Sequence, residues 1–127
     1  MPDLQTPVQT YRTQPSRPTL QLPPGACDAH VHVFGPAERF PYAPGRNFTP
    51  VDAPKETLFA LHDQLGIGRC VIVQSAVHGF DNRVVGDAIQ AGQGKVRFYH
   101  GNKLARDEAV ALMDQLIKRV LPVRARL

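Results

Sequence analysis

Apolar residues fall along this chain in short runs divided by breakers, and the runs alternate between two periods. Ala26 to Phe34 reads as a first strand, stopped by Gly35 and Pro36. Leu58, Leu61 and Leu65 then recur at helical spacing, behind the start signal Asp52-Ala53-Pro54-Lys55-Glu56. Asp52 or Ala53 would cap that helix, Pro54 has no first-turn N–H to lose, and Gly66 closes it. Arg69 to Ser75 follows as a second strand, in which Cys70-Val71-Ile72-Val73 is apolar on both sides, the pattern of a parallel strand buried on both faces. Asp81 caps a second helix that runs to Ala91 and buries Val84, Val85, Ala88 and Ile89, with Gly92 at its end. Val96 to Tyr99 forms a third strand, and Arg106 to Leu121 a third helix with Val110, Met113, Ile117 and Val120 in register. This βαβαβα rhythm predicts an α/β fold with a parallel sheet.

Two stretches break the rhythm. Residues 1–25 hold six of the twelve prolines together with Thr, Gln and Ser, and show no periodicity, so they read as a mobile, disordered arm ahead of a βα domain spanning 26–127. Gly35 to Val51 is rich in Pro, Gly and aromatic residues (Phe40, Tyr42, Phe48), a long loop pinned by rings and of the length that usually serves function.

Composition changes this picture little. A chain of 127 residues with 43% hydrophobic content suits one domain. Cys27 and Cys70 each lie in an apolar stretch, which fits buried thiols in a reducing compartment, and no signal peptide or apolar run of membrane-spanning length is visible, so cytoplasmic residence is expected, with no membrane partner. The net charge of +4 is unevenly spread: residues 1–94 carry seven basic and eight acidic side chains, residues 95–127 eight and three. That basic tail lacks aromatic interleaving or any recognised motif, which disfavours nucleic acid as a partner and favours a solvated helix face.

The candidate chemistry is concentrated in Cys27-Asp28-Ala29-His30-Val31-His32-Val33-Phe34. Strand residues two apart point to the same side, with Cα atoms roughly 7 Å apart, so His30 and His32 could reach one ion or one substrate. Alternation places Asp28 on that side too, where it could orient an imidazole or make a buried structural hydrogen bond. Alternating strands and helices leave an open doubly wound sheet or a piece of a (β/α)8 TIM barrel. A dinucleotide site would want Gly-x-Gly-x-x-Gly after the first strand, whereas here two histidines and a long loop occur, at the strand end where barrel enzymes carry catalytic groups. A complete barrel takes about 250 residues, so the chain is expected to supply only the N-terminal portion, about three βα units.

From Leu22 to Lys95 the chain resembles the N-terminal part of the amidohydrolase superfamily, in its amidohydrolase 2 branch, and most of all the 2-pyrone-4,6-dicarboxylate lactonases. The residues that carry the likeness are Leu22 to Pro36, then Phe40-Pro41-Tyr42-Ala43-Pro44, Thr49-Pro50, Val71-Ile72-Val73-Gln74 and His78-Gly79-Phe80-Asp81-Asn82-Arg83. The resemblance implies hydrolysis of a small dicarboxylate lactone by water attack on the ring carbonyl, a reaction that needs a general base, an electrophile and cations for the carboxylates. It makes His30 and His32 catalytic or metal-binding, with a divalent metal such as zinc compatible but not demanded, and assigns substrate binding to Ser75 and His78.

The chain also departs from that family. Phe48 stands where relatives place a tyrosine, Ser75 alone can supply the hydroxyl expected after Gln74, and the later histidine, arginines and aspartate base have no positions here. A frameshifted or truncated gene would account for this and would leave the chain inactive alone. For His78 an alternative is to orient the second loop; His62 reads as a boundary residue of its helix, His100 as a structural residue, Asp81 as a cap and Arg83 as a surface residue. Other readings of the whole are a non-catalytic remnant of such a hydrolase and an interaction module using the basic tail. Unpaired strand edges predict self-association.

Overall fold

The structure, a computed structural model, describes residues 4–99 and Ala111. It contains β1 (Cys27–Val31), α1 (Lys55–Leu65), β2 (Arg69–Val73), a 3-10 turn (Ala76–His78), α2 (Arg83–Ala91) and β3 (Val96–Tyr99). The predicted third helix, His100 and most of the basic tail lie outside the described residues. The strands form one parallel sheet in the order β1-β2-β3, as alternation of strand and helix requires. No helix among the described residues is long and apolar enough to cross a membrane.

One face of the sheet is committed to a core. Cys70, Ile72 and Val96 point into it and meet Val84, Val85, Ala88 and Ile89 of α2, with Leu58 of α1, Val33 and Phe40 completing the cluster. Ile72 and Ala88 are fully buried. The other face is open: Val71 and Val73 are half-buried, and their β3 neighbours Arg97 and Tyr99 are exposed. The two-sided apolar pattern of β2 is therefore covered on one side only among the described residues. Cys70 is buried, and burial pushes its thiol up to about 11, whereas Cys27, expected to be buried, is exposed at the start of an edge strand.

The start of α1 differs from the expectation. Pro54 is the cap residue and no side chain caps the helix. Asp52 instead turns its carboxylate to the long loop, and Ala53 pairs with Phe34 in an isolated bridge (Phe34 N–H to Ala53 O 2.9 Å, Ala53 N–H to Phe34 O 2.8 Å). Gly66 ends the helix in the left-handed region, φ 74°, where a Cβ would be strained. The inward residues of α1 are Leu58 and His62, four apart, and Leu61 and Leu65 are only half-buried. At α2, Asp81 accepts the Arg83 N–H at 3.1 Å and also pairs with its guanidinium.

Composition predicts a mobile arm before residue 25, whereas the structure lays part of it against the body. Val8 forms a bridge to the loop end at Pro50, donating to Thr49 O (2.7 Å) and accepting from Val51 N–H (2.9 Å). Gln64 of α1 donates to Pro15 O at 3.2 Å. These are backbone groups, so proline-rich composition does not prevent them from being satisfied.

Because Ile72 has no exposed surface, Ile72→Ala is expected to lower unfolding free energy by about 2–5 kcal/mol, measured by urea denaturation with an unchanged m-value.

Candidate active site

The histidine strand is irregular. Cys27 pairs with Arg69 and Asp28 with Cys70, but the next partners are Val31 and Ile72, so β1 spends three residues where β2 spends two. Such a bulge re-aims the side chains beyond it. Asp28 and Val31 share the core face with Cys70 and Ile72, while His30 and His32, either side of Val31, project from the open face. Simple alternation, which puts Asp28 beside the histidines, fails for this reason.

His30 and His32 are both exposed, and their rings meet edge to face with centroids 5.2 Å apart. His32 Nδ1 lies 2.8 Å from Val73 O. A carbonyl can only accept, so Nδ1 carries the proton in the neutral ring and Nε2 keeps a free lone pair. The pair lines a cavity of about 950 Å³ along the outer edge of β1, whose wall also includes Leu61 and Gln64 of α1 and Tyr11 and Arg12 of the N-terminal segment. Nothing in the sequence of residues 1–25 announced those last two.

Ser75 and His78 are not brought to that cavity. Ser75 Oγ accepts the Val77 N–H at 3.4 Å and caps the 3-10 turn. His78 is buried beneath the long loop, its Nε2 accepting the Gly35 N–H at 3.2 Å and its ring centroid 5.0 Å from that of Tyr42. The contact made by its ring is to the long first loop, at Gly35, rather than within the second loop that carries it. Burial lowers its pKa, and the Pro41 carbonyl, near but not at hydrogen-bonding geometry, opposes this along with the Asp81 and Asp52 carboxylates. The same loop is fastened by Asp52, which accepts Tyr42 O–H at 2.6 Å and the Ala37 N–H at 3.1 Å. Burial, then the bond to Asp52, raises the Tyr42 pKa. Phe48 packs edge to face on Phe34, centroids 6.3 Å apart.

His62, read from the sequence as a boundary residue, is 5% exposed and its Nε2 lies 3.1 Å from Asp28 Oδ2. Among the described residues no group of three or more His, Cys, Asp or Glu could hold a metal. His30 and His32 offer two imidazoles where a catalytic zinc needs three protein ligands, so the described donors do not by themselves fit that ion.

The amidohydrolase family profile matches residues 27–124. The chain belongs to the amidohydrolase family. It is 54% identical over 87 residues to a 2-pyrone-4,6-dicarboxylate hydrolase of Comamonas testosteroni, covering 68% of this chain and 28% of that protein. It is 46% identical over 84 residues to a 4-sulfomuconolactone hydrolase of Rhizobium radiobacter, covering 66% and 28%. This amidohydrolase chain thus spans under a third of the length of those relatives. The fold is similar to a crystal structure of a probable 2-pyrone-4,6-dicarboxylic acid hydrolase from Acinetobacter baumannii with citric acid bound (TM-score 0.61, 21% identity, 72% of this chain and 34% of that one). An apo structure from Agrobacterium tumefaciens is similar at TM-score 0.59 and 24% identity, over 75% and 36%.

Two outcomes follow from the loop's polar fastening. Burial holds the His78 pKa below its ordinary value of 6.5 in the fold, so the unfolded chain binds more protons than the folded one as pH falls through that value, and stability declines. Thermal unfolding between pH 7 and 5 should show this decline, flattened in His78→Gln. In Gly35→Ala the new Cβ would sit 2.5 Å from Asp52 Oδ1 at φ 68°; a loss of about 1–3 kcal/mol is expected, read from the same melts.

Proposed function

We propose that this chain is the histidine-bearing portion of a lactone hydrolase acting on a small dicarboxylate lactone such as 2-pyrone-4,6-dicarboxylate. The observation that carries the reading is the paired imidazoles on the open sheet face, within the residues that the amidohydrolase profile matches, in a chain 54% identical over 87 residues to a hydrolase of that lactone. In this reading the sheet is the first part of a (β/α)8 barrel, its open face the barrel interior, and β1 ends where a substrate would lie.

Ring opening requires water to add to the carbonyl carbon and the ring oxygen to leave with a proton. His32, with Nδ1 fixed on Val73 O, presents Nε2 as the basic atom that accepts a proton from that water or holds a ligand. His30 stands edge-on to it and limits how a planar ring can enter. Arg12, in the wall of the same cavity, is a permanent cation suited to a substrate carboxylate. The outer edge of β1, with the half-buried Val71 and Val73 on the open face, is where self-association would occur.

The test is loss of ring absorbance with 2-pyrone-4,6-dicarboxylate and with 4-sulfomuconolactone. Turnover by this chain, lowered about 10²–10⁴-fold in His32→Ala, is the expected result. Turnover indifferent to both His30→Ala and His32→Ala removes the histidines from the chemistry, and no turnover of either lactone overturns the reading for this chain.

A further inference from the structure

We propose that Asp28 and His62 form a clamp that holds the bulge in β1 and so sets the direction in which His30 and His32 point, making both of them positioning residues. The inference rests on the proposed function only in treating the two histidines as the working pair.

The carboxylate of Asp28 is engaged at both ends. Its Oδ1 accepts the backbone N–H of His30 at 3.2 Å, and its Oδ2 lies 3.1 Å from His62 Nε2. The first bond spans two residues along the chain, the local side-chain-to-backbone closure that competes with a regular ladder. It falls within the three-residue step from Asp28 to Val31, over which β1 loses register with β2. The second bond anchors the same carboxylate to α1 across the core face, where the His62 side chain is 7% exposed and that of Asp28 29%. A helix side chain thus reaches the point at which the strand takes up its extra residue.

The consequence of losing the bulge is large because strand facing has a period of two. If β1 continued in regular register from the Asp28–Cys70 pair, His30 would stand opposite Ile72, on the core face. His32 would follow it there, and Val31 and Val33 would turn outward. Val33 is 3% exposed and Ile72 has no exposed surface, so the core has no room for two imidazoles. The bulge lets Asp28 reach His62 while both histidines stay off the core face. Asp28 is the group that supplies an acceptor to the N–H within the bulge, and His62 is the group that holds Asp28.

The experiment compares His62→Leu, which keeps bulk without a donor, with His62→Gln, which restores an N–H of similar reach. On the full chain, amide hydrogen exchange at His30 is read against Ile72 in the same sample, together with the ring-to-ring nuclear Overhauser effect between His30 and His32. In His62→Leu the His30 amide should exchange about tenfold faster or more, the loss expected of one charge-assisted hydrogen bond, and the ring contact should vanish. His62→Gln should bring exchange back to within about threefold of the parent. An unchanged His30 amide and ring contact in folded His62→Leu overturns the clamp and leaves His62 as core packing. If His62→Leu does not fold, Asp28→Asn against Asp28→Ala decides: Asn retains an acceptor for the His30 N–H and should keep the protection, Ala should lose it, and equal behaviour overturns the proposal. None of these signals depends on lactone turnover, so failure of the clamp and failure of the lactonase reading are told apart.

Discussion

Parallel pairing of β1 with β2 through a ladder that slips by one residue is the constraint on which the remaining structure depends. Before the slip, Asp28 stands beside Cys70; after it, Val31 stands beside Ile72. Both matches keep one face of the sheet consistent with burial, and that face is where α2 and α1 find their apolar partners. Everything polar with a use for solvent is left on the other side. A strand without the slip would have to choose between burying a carboxylate with its helix partner and exposing two histidines, since strict alternation puts all three on one face.

The strand leads directly into the long loop, so the loop's rigidity bears on the site. Its fastenings are polar rather than apolar: Asp52 to Tyr42 and Ala37, His78 to Gly35, and Arg46 to Thr49 at 2.8 Å. Phe40 alone is sunk into the core cluster. Asp87 of α2 takes Lys55 of α1 at 2.5 Å and the loop's own Arg39 at 3.0 Å, tying both helices to the loop. Buried loop backbone has to be paired or it costs the full desolvation of each group, and here His78 and Asp52 supply acceptors for Gly35 and Ala37.

Much of this was legible in the sequence, because element type follows from periodicity and breakers. Val84, Val85, Ala88 and Ile89 appeared as one helical face and are buried as one, and Val96 to Tyr99 pairs where its apolar run suggested. His30 and His32 stood out because strand spacing puts them together, as their ring contact bears out. What alternation could not reveal is an irregularity: one inserted residue leaves no compositional mark, so Asp28 was placed on the histidine side and His62 was read as a boundary residue. Asp52 looked like a cap because Asp before Pro at a helix start usually is one, and a tertiary demand from Tyr42 and Ala37 took its oxygens instead. The placing of Tyr11 and Arg12 beside the histidines is likewise tertiary: their segment is held on one side by Val8 pairing with Thr49 and Val51 and on the other by the Gln64 side chain at Pro15 O.

The all-parallel order of the sheet has a kinetic side. No two strands are joined by a hairpin, so a tight turn cannot seed the sheet, and Cys27 must find Arg69 across roughly forty residues of loop and helix before the first ladder bond forms. The histidine pair therefore gains its place in the sheet only when that long closure is made. Until then β1 is a short strand with both edges bare, and the segment that carries the two histidines is open to wrong partners.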